Sequence, residues 1–460
     1  MSTIFLLLFL IGLLFIGYRI TGSSLVSPSV IFLIPFIVAI IYGLMFYSSR
    51  IYTFSIETCM VIGVGCLAFT LLCSLAHIIF KSARRESKNA IVLGESGFTL
   101  LPSSFYFAVF IFNCISFIEV YRAEKAITIQ YGQSGALADT ISSYNNLSKF
   151  GDDGIALNGI PSYLFQISYA SCFILGYLLA KQLTNSEERV SRLCLGTYLF
   201  SSIGLLLIGS RSLTITSFVA LGIMCCILGI QNGTMPRFSE IPVKAFAFVA
   251  LGLFVAISVF LIMLSAVGRD LGTLSPWEYI AIYLSAPLKN LDIFISNGYV
   301  SSDVFGQYTF TRLYESLIKI INLDPSILMT IKQYQSFHGL FLGNVYSAFQ
   351  SPLKDFGPLG CTVVMGVTAL IMQTLYEYSV RERHSNGLPY AILFYGYLSY
   401  SLLFSFFSNM FFETVVSTGF LKFTVSLLII GFATSKLLSR ELPGNELHRA
   451  NSGIRKEERV

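Results

Sequence analysis

Three arginines stand where apolar stretches of the sequence meet polar turns. Arg211 lies in a Gly-Ser-Arg-Ser turn between two apolar segments, and Arg269 and Arg122 each directly follow another such segment. Arginine suits a phosphate group, because its planar guanidinium donates to two oxygens at once and stays charged. Alternatives stay open: Arg211 could snorkel to lipid head groups, and Arg269 could pair internally with Asp270.

Two side chains could accept the proton of an attacking hydroxyl group. His338 lies in a long polar loop, and an imidazole accepts a proton near neutral pH. Asp355 is the rival base, although it could instead cap the helix that follows, and His338 could be an ordinary surface residue. The sequence carries no motif for a nucleotide or a metal, so neither a cofactor nor a metal is expected.

Four further side chains are candidates for binding a sugar. Asn344 and Tyr346 precede Asp355 in the same loop, which also holds Trp277, and Glu413 lies between the last two apolar segments. Tyrosine and tryptophan also collect at membrane–water interfaces. Both interpretations stay open for the aromatic residues.

The composition indicates which elements must position these residues. Charged residues make up 12% of the chain and hydrophobic types 54%, with a mean hydropathy of +0.71, whereas soluble domains carry about 25% charged residues. So little charge cannot coat a soluble fold, which argues against a soluble enzyme, a nucleic-acid binder or a disordered scaffold. The nine cysteines fall within or beside apolar stretches and indicate neither a disulfide framework nor a metal site.

A helix that crosses a membrane needs about 20 apolar residues. The sequence predicts an all-α polytopic membrane protein with eleven such helices, in a single bundle over residues 1–438 and with a flexible tail at 439–460. The predicted spans are 3–18, 30–46, 59–80, 105–120, 163–180, 193–208, 213–230, 245–266, 359–378, 389–407 and 415–432.

Lysine and arginine predict the orientation of these spans. They concentrate in the connections on one side and in the C-terminal tail, whereas the short connections on the other side hold little beyond Arg50 and Arg211. Since basic loops stay in the cytoplasm, we expect the N-terminus outside and the C-terminus inside. Both long connections, 121–162 and 267–358, then lie outside.

The second outer loop is expected to be partly helical. Ser275 and Glu278 fit a capping box that starts a helix with Pro276 in its first turn, kinked at Pro287 and ending at residues 297–298. A second helix is predicted at 311–323. Both are expected to lie on or re-enter the membrane surface.

These features resemble the bacterial O-antigen polymerases, also called Wzy-type oligosaccharide repeat-unit polymerases. The resemblance rests on Gly-Ser-Arg at 209–211, YLSAPLKNLD at 283–292, and Asn-x-Tyr-Ser and Asp-Phe-Gly within 344–357. The eleven spans and a large outer loop before the last three helices complete it.

The resemblance implies a membrane glycosyltransferase of the C-type superfamily in the bacterial inner membrane. Its substrate would be an undecaprenyl-pyrophosphate-linked oligosaccharide, polymerised at the periplasmic face into polysaccharide for lipopolysaccharide or capsule. A chain-length regulator is an implied partner, and no cofactor is needed. Arg211, Arg269 and Arg122 would hold the pyrophosphate, and His338 or Asp355 would act as base.

Two other functions remain open at this stage. An O-antigen ligase would share the fold and the donor but use the lipid A core as acceptor. A flippase for lipid-linked oligosaccharides would be a transporter, and the long outer loop and the absence of an internal repeat argue against it. A non-enzymatic export partner fits least, given the outer arginines.

Overall fold

A computed structural model describes residues 1–47, 52–86, 101–133, 135–150, 155–185, 190–234, 275–321, 324–328, 334–381 and 388–440. The helices are α1 (Ser2–Ile20), α2 (Pro28–Phe46), α3 (Ile56–Glu86), α4 (Ser103–Gln130), α5 (Leu137–Phe150), α6 (Gly159–Thr184), α7 (Arg192–Gly204), α8 (Arg211–Gln231), α9 (Pro276–Leu284), α10 (Ala286–Ser296), α11 (Thr311–Ile321), α12 (Gln350–Arg381), α13 (Tyr390–Leu403), α14 (Met410–Val415) and α15 (Thr418–Arg440). Two 3-10 turns, Leu205–Ile208 and Pro325–Leu328, and a hairpin of β1 (Gln335–Phe337) and β2 (Leu340–Gly343) complete the described elements.

Eight of these helices are long and apolar enough to cross a membrane: α1, α2, α3, α4, α6, α8, α12 and α15. The segments Arg192–Ile208 and Tyr390–Leu403 are apolar but shorter. Helices suit a membrane because each satisfies its own backbone hydrogen bonds where water is absent. A helical membrane protein is thus confirmed. The predicted span at 245–266 lies outside the described residues, and the total of eleven stays a prediction.

The chain divides into two compact units. The first comprises Met1–Glu86, Asn232–Tyr378 and Phe394–Leu421, and the second Ser87–Gln231, Ser379–Leu393 and Lys422–Val460.

The first unit contains α1, α2 and α3, which pack on one another. Phe32 of α2 stacks on Phe69 of α3 with ring centroids 4.0 Å apart. Gly43 of α2 lies against the Tyr52 ring, only 2.3 Å from where a Cβ would be, so no larger residue fits there. This contact holds Tyr52, which precedes α3, against α2.

The described part of the 267–358 connection packs onto the end of this unit that carries the N-terminus. Ser2 donates to the Phe54 carbonyl (2.6 Å) at that end, and Tyr42 donates to the carbonyl of Trp277 in the loop (3.2 Å). Within the loop, α9 packs on α2, and α10 packs on α2 and α3. The long loop is therefore part of the folded unit.

The capping box is confirmed, whereas the kink lies elsewhere than predicted. Ser275 Oγ accepts from the Glu278 amide (3.3 Å), and the Glu278 carboxylate accepts from the Ser275 amide (2.7 Å). The helix is interrupted at Ser285, and Pro287 lies in the first turn of α10. Proline lacks an amide hydrogen, which costs nothing in a first turn, so the helix restarts before the proline instead of bending at it.

The two long connections carry structure that was not predicted from the sequence. The β1–β2 hairpin adds a short antiparallel pair to an otherwise helical fold. In the second unit, α4 continues to Gln130 and α5 fills much of the 121–162 connection.

Lys422, a charged residue within the apolar helix α15, has its contacts on another helix. Its Nζ lies 3.3 Å from Ser162 Oγ and 5.0 Å from the centre of the Tyr163 ring, both on α6.

Candidate functional site

Arg211 begins α8 in the second unit, directly after a tight turn. Gly209 has φ of +68°, and a Cβ there would lie 2.5 Å from the Asn145 Cβ, so the turn requires glycine. The hydroxyls of Ser210 and Ser212 lie 2.7 Å apart on either side of Arg211. A snorkelling arginine would extend away from the protein, whereas Arg211 is only 9% exposed.

The other two candidate phosphate ligands differ from Arg211. Arg122 lies on α4 and is exposed, with its guanidinium 2.7 Å from the Glu119 carboxylate, one turn away. Arg269 lies outside the described residues. Of the three, Arg211 is the one that the described structure holds inside the protein.

Glu124 of α4 is a buried carboxyl that the sequence analysis missed. It is fully buried, and neither of its oxygens has a hydrogen-bond partner among the described residues. Tyr144 of α5 lies near Glu124. The pKa of Tyr144 is raised to about 12, mainly by burial and next by the charge of Glu124. The Leu157 amide, donating to the Tyr144 hydroxyl (3.0 Å), opposes this shift.

A signal for Glu124 exists in the sequence. The predicted span ended at Val120, but the helical spacing of buried positions continues through Asn113, Phe117, Val120, Glu124 and Thr128. Extending the helix by two turns would have placed Glu124 on its buried face.

Asp355, in the first unit, binds the backbone of a turn at residues 308–309 in the preceding loop. Its carboxylate accepts from the backbone amides of Tyr308 (3.1 Å) and Thr309 (2.6 Å). Lys354 places its ammonium 3.9 Å from the centre of the Tyr308 ring, on the same turn. Asp355 therefore ties the 308–309 turn to the start of α12, and to act as a base it would have to accept a proton within this arrangement.

The same turn reaches the segment between α13 and α14. Asn409, which is buried, donates to the Thr309 carbonyl (3.3 Å), and the Phe310 and Phe412 rings pack with centroids 5.4 Å apart. Glu413, a candidate sugar ligand, is half-buried on α14. The fold thus gathers Asp355 and the helix of Glu413 around one turn.

His338 forms the tip of the β1–β2 hairpin. Its φ is +48° and that of Gly339 is +77°, which places both turn residues in the left-handed region that two-residue hairpin turns use. The imidazole is exposed and lies edge-on to the Phe337 ring, with centroids 4.3 Å apart. A proton acceptor at this position would be open to water and to an approaching hydroxyl group.

The candidate sugar ligands differ in how much surface they present. Trp277 is 62% exposed on α9, and Asn344 is half-buried after β2. Tyr346 is buried, and its hydroxyl accepts from Gln335 Nε2 (3.0 Å); burial raises the pKa of this tyrosine. Trp277 offers most surface for stacking, while Tyr346 supports the hairpin.

The YLSAPLKNLD stretch anchors the loop to the bundle. The Lys289 ammonium donates to the Thr53 carbonyl (2.7 Å) and to Asp292 (2.8 Å), and Asp292 accepts from the Ser55 amide (2.7 Å). Asn290 donates to the Val345 carbonyl (2.9 Å). These buried polar residues hold α10 between the end of the bundle and the hairpin.

A second buried polar cluster lies at the opposite end of α12 from Asp355. His77 Nδ1 lies 2.5 Å from Glu377 Oε1, which also accepts from Gln373 (2.9 Å). A methyl group on Gly22 would lie 3.8 Å from the His77 ring, so the cluster is beside the α1–α2 turn. It joins α3 to α12.

The chain was compared with models of protein families, with curated proteins and with solved structures, and none of them matches. The function must therefore be argued from the residues themselves.

Proposed function

We propose that this chain is a membrane glycosyltransferase that polymerises undecaprenyl-pyrophosphate-linked oligosaccharide repeat units at the periplasmic face of the bacterial inner membrane. The product would be O-antigen or capsular polysaccharide. The observation that carries the proposal is Arg211, a buried arginine at the N-terminus of an apolar helix. Such a position combines a fixed positive charge with backbone amides directed at an anion.

The proposed reaction needs this kind of charge. A hydroxyl oxygen of the acceptor sugar attacks the anomeric carbon of the donor and forms the new C–O bond. The bond from that carbon to the pyrophosphate oxygen breaks, and the electron pair leaves with the lipid pyrophosphate. A fixed arginine stabilises the charge that grows on this leaving group. Arg269 is proposed as its second ligand, with Arg122 as a weaker candidate.

The other roles are proposed for residues of the 267–358 connection and for Glu413. The hydroxyl proton goes to His338, or to Asp355 in the rival assignment. Trp277, Asn344 and Glu413 are proposed to contact the sugars. Tyr346 is proposed to contact them through the edge of its ring. The exposed imidazole at the hairpin tip supports His338.

The test is polymer length in a strain that lacks the chromosomal gene and expresses variants at matched levels. We expect Arg211→Ala to abolish long polymer and Arg211→Lys to shorten it, because lysine keeps the charge but cannot donate from a planar fork. One oriented charge-assisted contact to a transition state is worth about 2.7–4 kcal/mol, or roughly a hundredfold to a thousandfold in rate.

Arg312→Ala is the matched control, since Arg312 is an exposed arginine of the outer loop. Full-length polymer from Arg211→Ala would remove the support for a phosphate ligand. The strain itself separates the alternatives. Single repeat units on the lipid A core indicate a lost polymerase, a bare core indicates a lost ligase, and repeat units trapped on the cytoplasmic side indicate a lost flippase.

A further inference from the structure

Helix α11 separates apolar and polar residues onto opposite faces. Leu313, Leu317, Ile320 and Ile321 recur at helical spacing on one side, and Arg312 and Glu315 occupy the other. Arg312 and Glu315 form an exposed ion pair of 2.7 Å. The polar face is therefore suited to water.

The apolar face of α11 is not covered by the described protein. Ile320 is 72% exposed, and Ile321 and Leu313 are exposed as well. Large aliphatic side chains in such a row are costly to leave in water, at roughly 25 cal/mol per Å² of apolar surface. Contact with an apolar surface or with lipid would therefore stabilise this face.

The helix is fixed in place along one flank. The Tyr314 hydroxyl donates to the Phe305 carbonyl (2.6 Å), and Phe310, just before α11, packs on Phe412. Phe305 in turn packs on Phe356, with ring centroids 5.0 Å apart. The exposed face is thus a fixed surface of the first unit.

The surface next to α11 belongs to a helix suited to crossing the membrane. Beyond Phe356, α12 presents a stripe of exposed apolar side chains at spacings of three and four residues: Leu359, Val363, Val367, Leu370 and Ile371. Leu359, at the start of the stripe, is 80% exposed. A stripe of this kind on a spanning helix is suited to contact with lipid chains.

We propose that α11 lies in the plane of the membrane interface, in the leaflet nearest the N-terminus. Leu313, Ile320 and Ile321 then contact lipid, and Arg312 and Glu315 face the water. The partner of α11 is bilayer lipid, because its apolar face continues, through Phe305 and Phe356, the exposed apolar stripe of α12. An interfacial helix of this kind sinks about 5–10 Å into the boundary between head groups and chains. The inference does not depend on the proposed polymerase activity.

Tryptophan fluorescence tests this position. The chain has one tryptophan, Trp277, so Trp277→Phe gives a background into which Ile320→Trp is placed, with Glu315→Trp as the control on the polar face. The full-length proteins are reconstituted in lipid nanodiscs with either ordinary or chain-brominated phosphatidylcholine. Iodide probes access from water.

We expect Ile320→Trp to lose roughly half of its emission to brominated chains at an interfacial depth of about 5–10 Å, and to resist iodide. Glu315→Trp should show the opposite response. Quenching of Ile320→Trp by iodide would place this face in water, and shielding from both quenchers would place it against protein, such as a second copy of the chain; either result overturns the proposal. Ile321→Trp, on the same face, serves if Ile320→Trp does not fold.

Discussion

Lys289 and Asp292 form the most enclosed ion pair among the described residues. Each side chain is 7% exposed, and the Lys289 ammonium also lies 4.4 Å from the centre of the Phe337 ring. The contacts of the pair reach beyond α10: to Thr53 and Ser55 at the end of the bundle, and to Phe337 in the hairpin. The pair therefore acts through the position it gives the hairpin and His338.

We expect Lys289→Met to lower the free energy of unfolding by about 3–5 kcal/mol, because it leaves the Asp292 charge buried without its cation. The matched control is Arg312→Met, which removes the cation of an exposed pair with the same spacing, where the expected loss is about 0–1 kcal/mol. Thermal unfolding of both variants in detergent measures the difference. Equal losses would mean that Asp292 is not effectively buried.

Substitution at His338 can separate its place in the turn from a role in proton transfer. Asparagine accepts the left-handed conformation of this position but cannot act as a base. If His338 takes the acceptor proton, His338→Asn should abolish polymer while the protein keeps its thermal stability. If Asp355 is the base, Asp355→Asn should do so instead.

The two assignments differ in a second readout. Asp355→Asn replaces an oxygen that accepts backbone amides, so we expect it to lower stability by about 1–3 kcal/mol whatever its role. Normal polymer from both variants would rule out both residues and favour a route in which the substrate itself takes the proton.

At the scale of the element, the start of α9 is set by two side chains that satisfy each other's backbone amides. The hydrogen bond from the Ser275 amide lowers the pKa of the Glu278 carboxyl below its ordinary value of 4.5. A carboxyl whose pKa is lowered in the folded state stabilises it above the ordinary pKa. That contribution is lost as the pH falls through the lowered value.

We therefore expect the amides at the start of α9 to lose protection from hydrogen exchange as the pH falls below about 4.5, after correction for the intrinsic pH dependence of exchange. Mass spectrometry of peptides covering 275–284 would measure this. Glu278→Gln keeps an acceptor but does not titrate, so its protection should be flat over the same range. Identical profiles for the two proteins would contradict a role for the ionised carboxylate.

At the scale of the whole molecule, the prediction concerns which side of the membrane each connection occupies. The bias of lysine and arginine predicts that the N-terminus lies outside and the C-terminus inside. Within the first unit, the N-terminus, the α2–α3 turn and the 275–349 loop lie at one end, as Ser2, Tyr42 and Ser55 show by their hydrogen bonds. These three must then face the same compartment.

Reporter fusions test the orientation. We expect fusions after Gly154 and Pro325 to report the periplasm, and fusions after Glu187 and Arg449 to report the cytoplasm, because basic connections are retained inside. A cytoplasmic signal after Pro325 would place the whole candidate catalytic loop on the wrong side for a periplasmic reaction. A periplasmic signal after Pro325 together with a cytoplasmic signal after Arg449 would mean an odd number of spans between these two positions.

The sequence by itself determined the apolar helices and the capping box. Each depends on residues close together in the chain: a run of apolar residues, or a serine three positions before a glutamate. The tertiary structure alone decided which amides bind Asp355 and where the hairpin that carries His338 packs. Lys289 and Thr53 are 236 positions apart, and no local pattern encodes which distant carbonyl a buried ammonium will meet. Such contacts are set by how helices pack, which depends on the shapes of all their side chains together.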